Sequence, residues 1–200
     1  MLRDNFYDKK VLAIYKCGSV IYGLGGEQSD VDYTVILDDF DGVNLINENR
    51  IDYFIYGYET FKKVVKFDDK NILHSFLMWT DNTLLAKENL VQIDASFEAE
   101  FNELIKVDWD RYFKKWLSIN VDYLTAIFSI GINVKPLYNL YRIRSLVKHY
   151  KETGIFEFYL SENDRELIID YKNNKAVSET HDNNFKNILE YLRLLIAEEE

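Results

Sequence analysis

A chain of 200 residues, 48% hydrophobic and 29% charged, can bury a core without disulfides or a structural metal. Its formal net charge of −10 excludes an extended electrostatic grip on nucleic acid, because phosphate backbones attract basic surfaces. Cys17 is the single cysteine, so no intramolecular disulfide is possible, and no Cys/His cluster has the spacing of a zinc site.

The N-terminal MLRDNFYDKK lacks the apolar stretch of a secretory signal, and no run approaches the ~18 apolar residues of a membrane span. The expectation is a soluble, cytoplasmic protein. Val11-Leu12-Ala13-Ile14-Tyr15 is a short apolar run stopping at Gly18, as a buried strand does. Gly18 to Gly26 holds four glycines, which suits a tight turn and one or two helical turns rather than a long helix. Val31 to Leu37 is β-branched and partly alternating, and ends in the turn-like Asp38-Asp39-Phe40-Asp41-Gly42. Ile51 to Tyr56 predicts a third strand, closed by Gly57.

From Tyr58 the apolar period becomes helical. Phe61, Val64, Val65 and Phe67 can share one helix face, and Ile72, Leu73, Phe76, Leu77 and Trp79 another. Asp110 to Ile130 predicts a long helix. Pro136 fits the first turn of the next, which should stop at Gly154. Ser161-Glu162-Asn163-Asp164 resembles a capping box, and Phe185, Ile188, Leu189 and Leu192 mark a last amphipathic helix. The fold class expected is α+β: a small mixed-sheet lobe over residues 1–67 with flanking helices, then a helical lobe over 68–200.

The stretch with chemical content is Cys17-Gly18-Ser19-Val20-Ile21-Tyr22-Gly23, followed by Ser29-Asp30-Val31-Asp32. A strand ending at Gly18-Ser19 and turning into a short helix presents unpaired N–H groups and a hydroxyl that attract phosphate. Asp30 and Asp32, two apart on an extended segment, project from one face. Two carboxylates side by side need a cation, and hard oxygen donors suit Mg²⁺ or Mn²⁺. Asp52, inside an apolar strand, needs a partner that a shared metal site would supply. On the helix that Pro136 opens, Lys135 and Arg142 are seven residues apart and share a face after two turns. That face is the candidate contact for a triphosphate.

This constellation resembles the nucleotidyltransferase superfamily related to DNA polymerase β. The family pattern is a strand, Gly-Ser, about ten residues, Asp-x-Asp on a strand, and a third acidic residue on another strand. Gly18-Ser19, Asp30-Val31-Asp32 and Asp52 match it. The tighter Gly-Ser-x-x-Tyr-Gly and Ser-Asp-x-Asp forms look like the bacterial and phage branch known as predicted nucleotidyltransferases. That branch often has Lys-x-x-Tyr-x-x-x-Arg on a helix, here Lys135 to Arg142. One departure is Asn71-Ile72-Leu73-His74, where relatives often carry a glutamate. The resemblance implies that Asp30 and Asp32 bind two divalent metals with the triphosphate. Asp52 would bind the catalytic metal and help activate the acceptor, and Gly18, Ser19, Lys135 and Arg142 would hold the nucleotide.

The function so implied is transfer of a nucleoside monophosphate from an NTP to a hydroxyl of a small molecule, an RNA 3′ end or a protein. Two alternatives stand beside it. One is an antitoxin-like or regulatory partner-binding module of the same fold, and the other is a nucleotide sensor without turnover.

Overall fold

Both faces of the central strands are covered, which explains why these strands read as continuous apolar runs rather than clean alternations. The computed structural model describes residues 9–25, 29–66, 87–106, 108–130, 134–155, 159–174 and 179–198. The architecture is α+β: a mixed five-stranded sheet with helices, followed by a helical part. The chain divides into two compact units, Met1–Val107 and Asp108–Glu200. Residue 67, where the sequence places the change of character, lies outside the described residues, as does the apolar series Ile72 to Trp79 with His74.

In the first unit the strands are β1 (Val11–Cys17), β2 (Val31–Leu37), β3 (Val43–Glu48), β4 (Ile51–Gly57) and β5 (Leu90–Ile93), in spatial order β3-β4-β2-β1-β5. The β2–β4 pair is parallel and every other pair is antiparallel. A two-residue hairpin joins β3 to β4, with Glu48 opposite Ile51. It folds β4 back between β3 and β2, so β2 and β4 run in the same direction. The expected strands over 11–15, 31–37 and 51–56 are β1, β2 and β4. β3 and β5 have no counterpart in the sequence reading. β3 is an edge strand whose Leu45 is exposed, and it carries no alternating pattern; β5 has only four residues.

One face of the sheet packs Ile14, Val35, Leu37, Tyr53 and Ile55 together, with Tyr33 stacked on Tyr53 at 5.9 Å. The opposite face carries Tyr15, Cys17 and Thr34. There Phe101 of α2 (Glu98–Leu104) stacks on Tyr15 at 5.5 Å and on Phe61 of α1 (Tyr58–Val65) at 5.8 Å. Phe61, Val64 and Val65 are buried, as their helical spacing predicts.

The second unit holds α3 (Trp109–Ile130), α4 (Val134–Thr153), α5 (Glu162–Asn174) and α6 (Glu179–Glu198). α3 packs on α4 and α6, and α4 packs on α5 and α6. The buried positions are those of the helical period: Phe113, Trp116, Leu117, Val121 and Leu124 on α3, and Phe185, Ile188, Leu189 and Leu192 on α6. α4 ends at Gly154, whose φ of 71° is the left-handed conformation glycine adopts without penalty, and its N–H reaches the Tyr150 carbonyl at 2.8 Å. Ser161 caps α5, its Oγ accepting from the Asp164 N–H at 3.2 Å. The Asp164 carboxylate pairs with Arg144 of α4. Among the described residues no helix is long and apolar enough to cross a membrane.

Candidate functional site

Strand direction decides what gathers at one end of the sheet. β1 and β3 end where β2 and β4 begin. The end of β1 therefore brings Cys17 and Gly18 to the start of β2. The end of β3 brings Asn47 to the start of β4. The register runs Cys17 to Asp32, Asp32 to Asp52, and Asp52 to Asn47 across four strands. Residues opposite one another in a ladder share a face, so these four side chains lie in one row. Asp32 and Asp52 sit on neighbouring strands, which lie roughly 5 Å apart. Both are part-buried. Thr34, two residues further on, donates from its hydroxyl to Cys17 Sγ at 3.6 Å, on the same face.

Gly18 is held to glycine by its neighbour. Its φ is 72°, and a Cβ built there would lie 1.7 Å from Asp32 Oδ2 and 2.6 Å from Asp32 Cγ. The Asp32 carboxylate occupies the space a side chain at 18 would take. Beyond it Gly18–Tyr22 forms one short 3₁₀ segment that closes at Gly23, with φ 64°. The Gly23 and Leu24 N–H groups reach the Val20 and Ser19 carbonyls, each at 3.0 Å. The turn and single helical turn expected from the glycines are what this segment contains.

Two residues that sequence reasoning missed join this end of the sheet. Asn47 Nδ2 donates to Asp52 Oδ1. Arg50 Nε lies 3.7 Å from Asp30 Oδ1, and its Nη2 donates to the Ser29 carbonyl at 3.4 Å. The hairpin residues Asn49 and Arg50 have φ of 50° and 67°, the positive pair that a type I′ connection requires. The signal for both lay in Asn47-Glu48-Asn49-Arg50, a polar stretch between the apolar Val43-to-Ile46 and Ile51-to-Tyr56 runs. Read as a two-residue hairpin, it would have put Asn47 opposite Asp52.

Asp30, Asp32 and Asp52 thus come to one end of the sheet with Gly18 and Ser19, in different engagements. Asp32 and Asp52 are in register, whereas Asp30, one residue before β2, faces Arg50. Among the described residues no group of three His, Cys, Asp or Glu side chains stands close enough to hold a metal ion. Lys135 and Arg142 belong to α4 in the second unit. The Lys135 side chain lies outside the described residues. Arg142 is 4% exposed, its Nη1 donates to Asn139 Oδ1 at 3.1 Å, and its guanidinium lies 5.8 Å from the centre of the Tyr138 ring. Lys172 of α5 approaches the same ring at 5.6 Å. Burial, and secondly the Arg142 charge, hold the Lys172 ammonium below its ordinary pKa.

No protein-family model matches the sequence, and no curated protein matches it. Among solved structures the chain is similar to a nucleotidyltransferase-like protein from Exiguobacterium sibiricum 255-15, determined at 1.90 Å resolution. The identity is 14%, covering 99% of this chain and 72% of that one, with a TM-score of 0.33. At that distance the likeness lends no residue a role. What the site can do follows from its own donors: paired carboxylates beside a glycine-serine turn and a guanidinium.

Proposed function

We propose that this protein is a metal-dependent nucleotidyltransferase of the polymerase β-related kind, moving a nucleoside monophosphate from an NTP to a hydroxyl acceptor and releasing pyrophosphate. The observation that carries the reading is the register of Asp32 with Asp52 on one sheet face, next to a glycine whose side-chain space the Asp32 carboxylate fills. Two adjacent carboxylates repel unless a cation or hydrogen-bond donors offset their charge. Asn47 supplies one donor to Asp52, and hard carboxylate oxygens are the donor type that Mg²⁺ or Mn²⁺ selects. Asp32 and Asp52 are the residues that would hold the metal, with Asp30 as a third once it leaves Arg50.

When bound, such a metal neutralises triphosphate charge and lowers the pKa of the acceptor hydroxyl. The chain's own residues do the positioning, which supplies most of the effect in phosphoryl transfer. Ser19, directly after the turn at Gly18, offers a hydroxyl to a phosphate. Asp52, oriented by Asn47, is assigned to the acceptor side and Asp32 to the triphosphate side. Whether Arg142→Ala weakens NTP binding tests the expectation that Lys135 and Arg142 hold the nucleotide.

Incubation with each of four α-labelled NTPs, Mg²⁺ and cell extract tests the reading. A labelled product that disappears with Asp32→Asn is expected, and its nature names the acceptor class. Absence of any labelled species with all four NTPs, in Mg²⁺ and in Mn²⁺, would overturn it.

A further inference from the structure

We propose that Arg50 is a phosphate-contacting residue of this site, held in reserve on Asp30 until a metal-bound triphosphate arrives. The inference rests on the nucleotidyltransferase reading and adds to it a residue that the Gly-Ser and Asp-x-Asp pattern does not contain.

The backbone gives the first reason. Arg50 occupies the second position of a two-residue hairpin at φ 67°, directly after Asn49 at φ 50°. Asn-Gly is the preferred pair for this connection, because glycine accepts positive φ without a steric cost and a long side chain does not. Stability alone favours glycine at this position. A non-glycine residue in this region is a place where strain and function coincide. The ion pair gives the second reason. Arg50 and Asp30 side chains are 54% and 55% exposed, and the closest approach is 3.7 Å. Contacts of that kind are screened, and the hydrogen bond from Nη2 to the Ser29 carbonyl beside it is long at 3.4 Å. The pair is therefore easily exchanged.

The location gives the third. Asp30 and Arg50 flank the first residue pair of the parallel ladder, Val31 with Ile51, and Asp32 with Asp52 follows immediately. The pair of Arg50 with Asp30 therefore lies at the end of the ladder where the carboxylate row begins. Planar guanidinium forks match phosphate oxygens in a bidentate way that an exposed carboxylate contact at 3.7 Å does not equal. Transfer of Arg50 from Asp30 to a phosphate oxygen would release Asp30 to join Asp32 and Asp52. Metal binding and triphosphate binding are then coupled through one side chain.

Three readouts on the full chain test this, using wild type, Arg50→Gly and Arg50→Lys. Without ligand, Arg50→Gly should raise the melting temperature by a few degrees, since glycine directly after Asn49 suits the turn. Calorimetric titration with Mg²⁺ and non-hydrolysable NTP analogues should show affinity weakened about ten- to a hundred-fold, with Arg50→Lys recovering part. Titration with Mn²⁺ alone should tighten several-fold in Arg50→Gly, because Asp30 loses its competing cation. Analogue affinity unchanged in Arg50→Gly, where wild type binds, would overturn the role of Arg50 and leave the transferase reading standing. A fall in both melting temperature and Mn²⁺ affinity would make Arg50 a structural residue and overturn it equally. Wild type that binds no NTP analogue with Mg²⁺ would remove the transferase reading itself.

Discussion

Replacing Gly18 by alanine tests the site where sequence and structure meet most tightly. Two costs arise. At φ 72° an L-residue takes on the left-handed penalty, roughly 1–2 kcal/mol. The new Cβ would also stand 1.7 Å from Asp32 Oδ2, so the carboxylate must leave its position. The Asp32 backbone is tied into the ladder on both sides, to Cys17 and to Asp52, so the side chain must yield. An off-rotamer displacement costs roughly 0.5–1.5 kcal/mol. The total, roughly 1.5–3.5 kcal/mol, is smaller than the 5–15 kcal/mol typical of a folded domain, so the variant should fold. For a unit of about a hundred residues the melting temperature should fall by roughly 6–28 °C. NTP transfer should fall by about a hundred-fold or more, since a displacement near 1 Å at a reacting site has that effect. A double-mutant cycle separates the two costs. In an Asp32→Ala background the neighbours at 1.7 and 2.6 Å are gone and only the Asp32 Cβ contact at 2.9 Å remains. Gly18→Ala should there cost about 1 kcal/mol less, measured by urea unfolding followed by circular dichroism. Equal cost in both backgrounds, within the ~0.5 kcal/mol of ordinary additivity, would refute the claim that Asp32 fills the glycine's space.

Asp32→Asn should abolish labelled transfer while the metal-free melting temperature holds or rises, because repulsion from Asp52 is relieved, and Asp30→Asn should abolish transfer with little change in melting temperature, because its pair with Arg50 is exposed; near-wild-type transfer by either would remove the metal role. Asp52→Asn should slow single-turnover transfer more than it weakens NTP binding, and Asn47→Ala should give a milder version of the same split, since Asn47 acts by orienting Asp52. In the second unit, the Arg144–Asp164 pair has side chains 19% and 4% exposed, so Asp164→Ala should cost roughly 3–5 kcal/mol in denaturant unfolding by leaving a guanidinium uncompensated. The Lys172 pKa is lower folded than unfolded, so on the alkaline side the unfolded state holds more protons and stability should rise with pH up to the ordinary lysine range; Lys172→Met should flatten that rise in pH-dependent melting curves.

The local features of this chain were determined by residues near one another in sequence. Pro136 and Gly154 bracket α4, Ser161 caps α5, and the apolar runs mark β1, β2 and β4, because caps, periods and turn conformations act over a few residues. The residue types of the site were legible for the same reason: glycine, serine and spaced aspartates carry their chemistry wherever they stand. Which of them meet was decided by tertiary structure. β3 lacks an alternating pattern, and its existence follows from pairing with β4 rather than from its own composition. The parallel β2–β4 ladder sets Asp52 level with Asp32, and the β3–β4 hairpin brings Asn47 to Asp52 and Arg50 to Asp30. A one-residue slip would turn Asp52 to the opposite face, into the cluster around Tyr53 and Ile55. The burial of Arg142 beside Asn139 was likewise invisible in a helical pattern that placed it on a cationic face with Lys135. Helical spacing states which residues share a face, but only the neighbouring helices decide which face is covered.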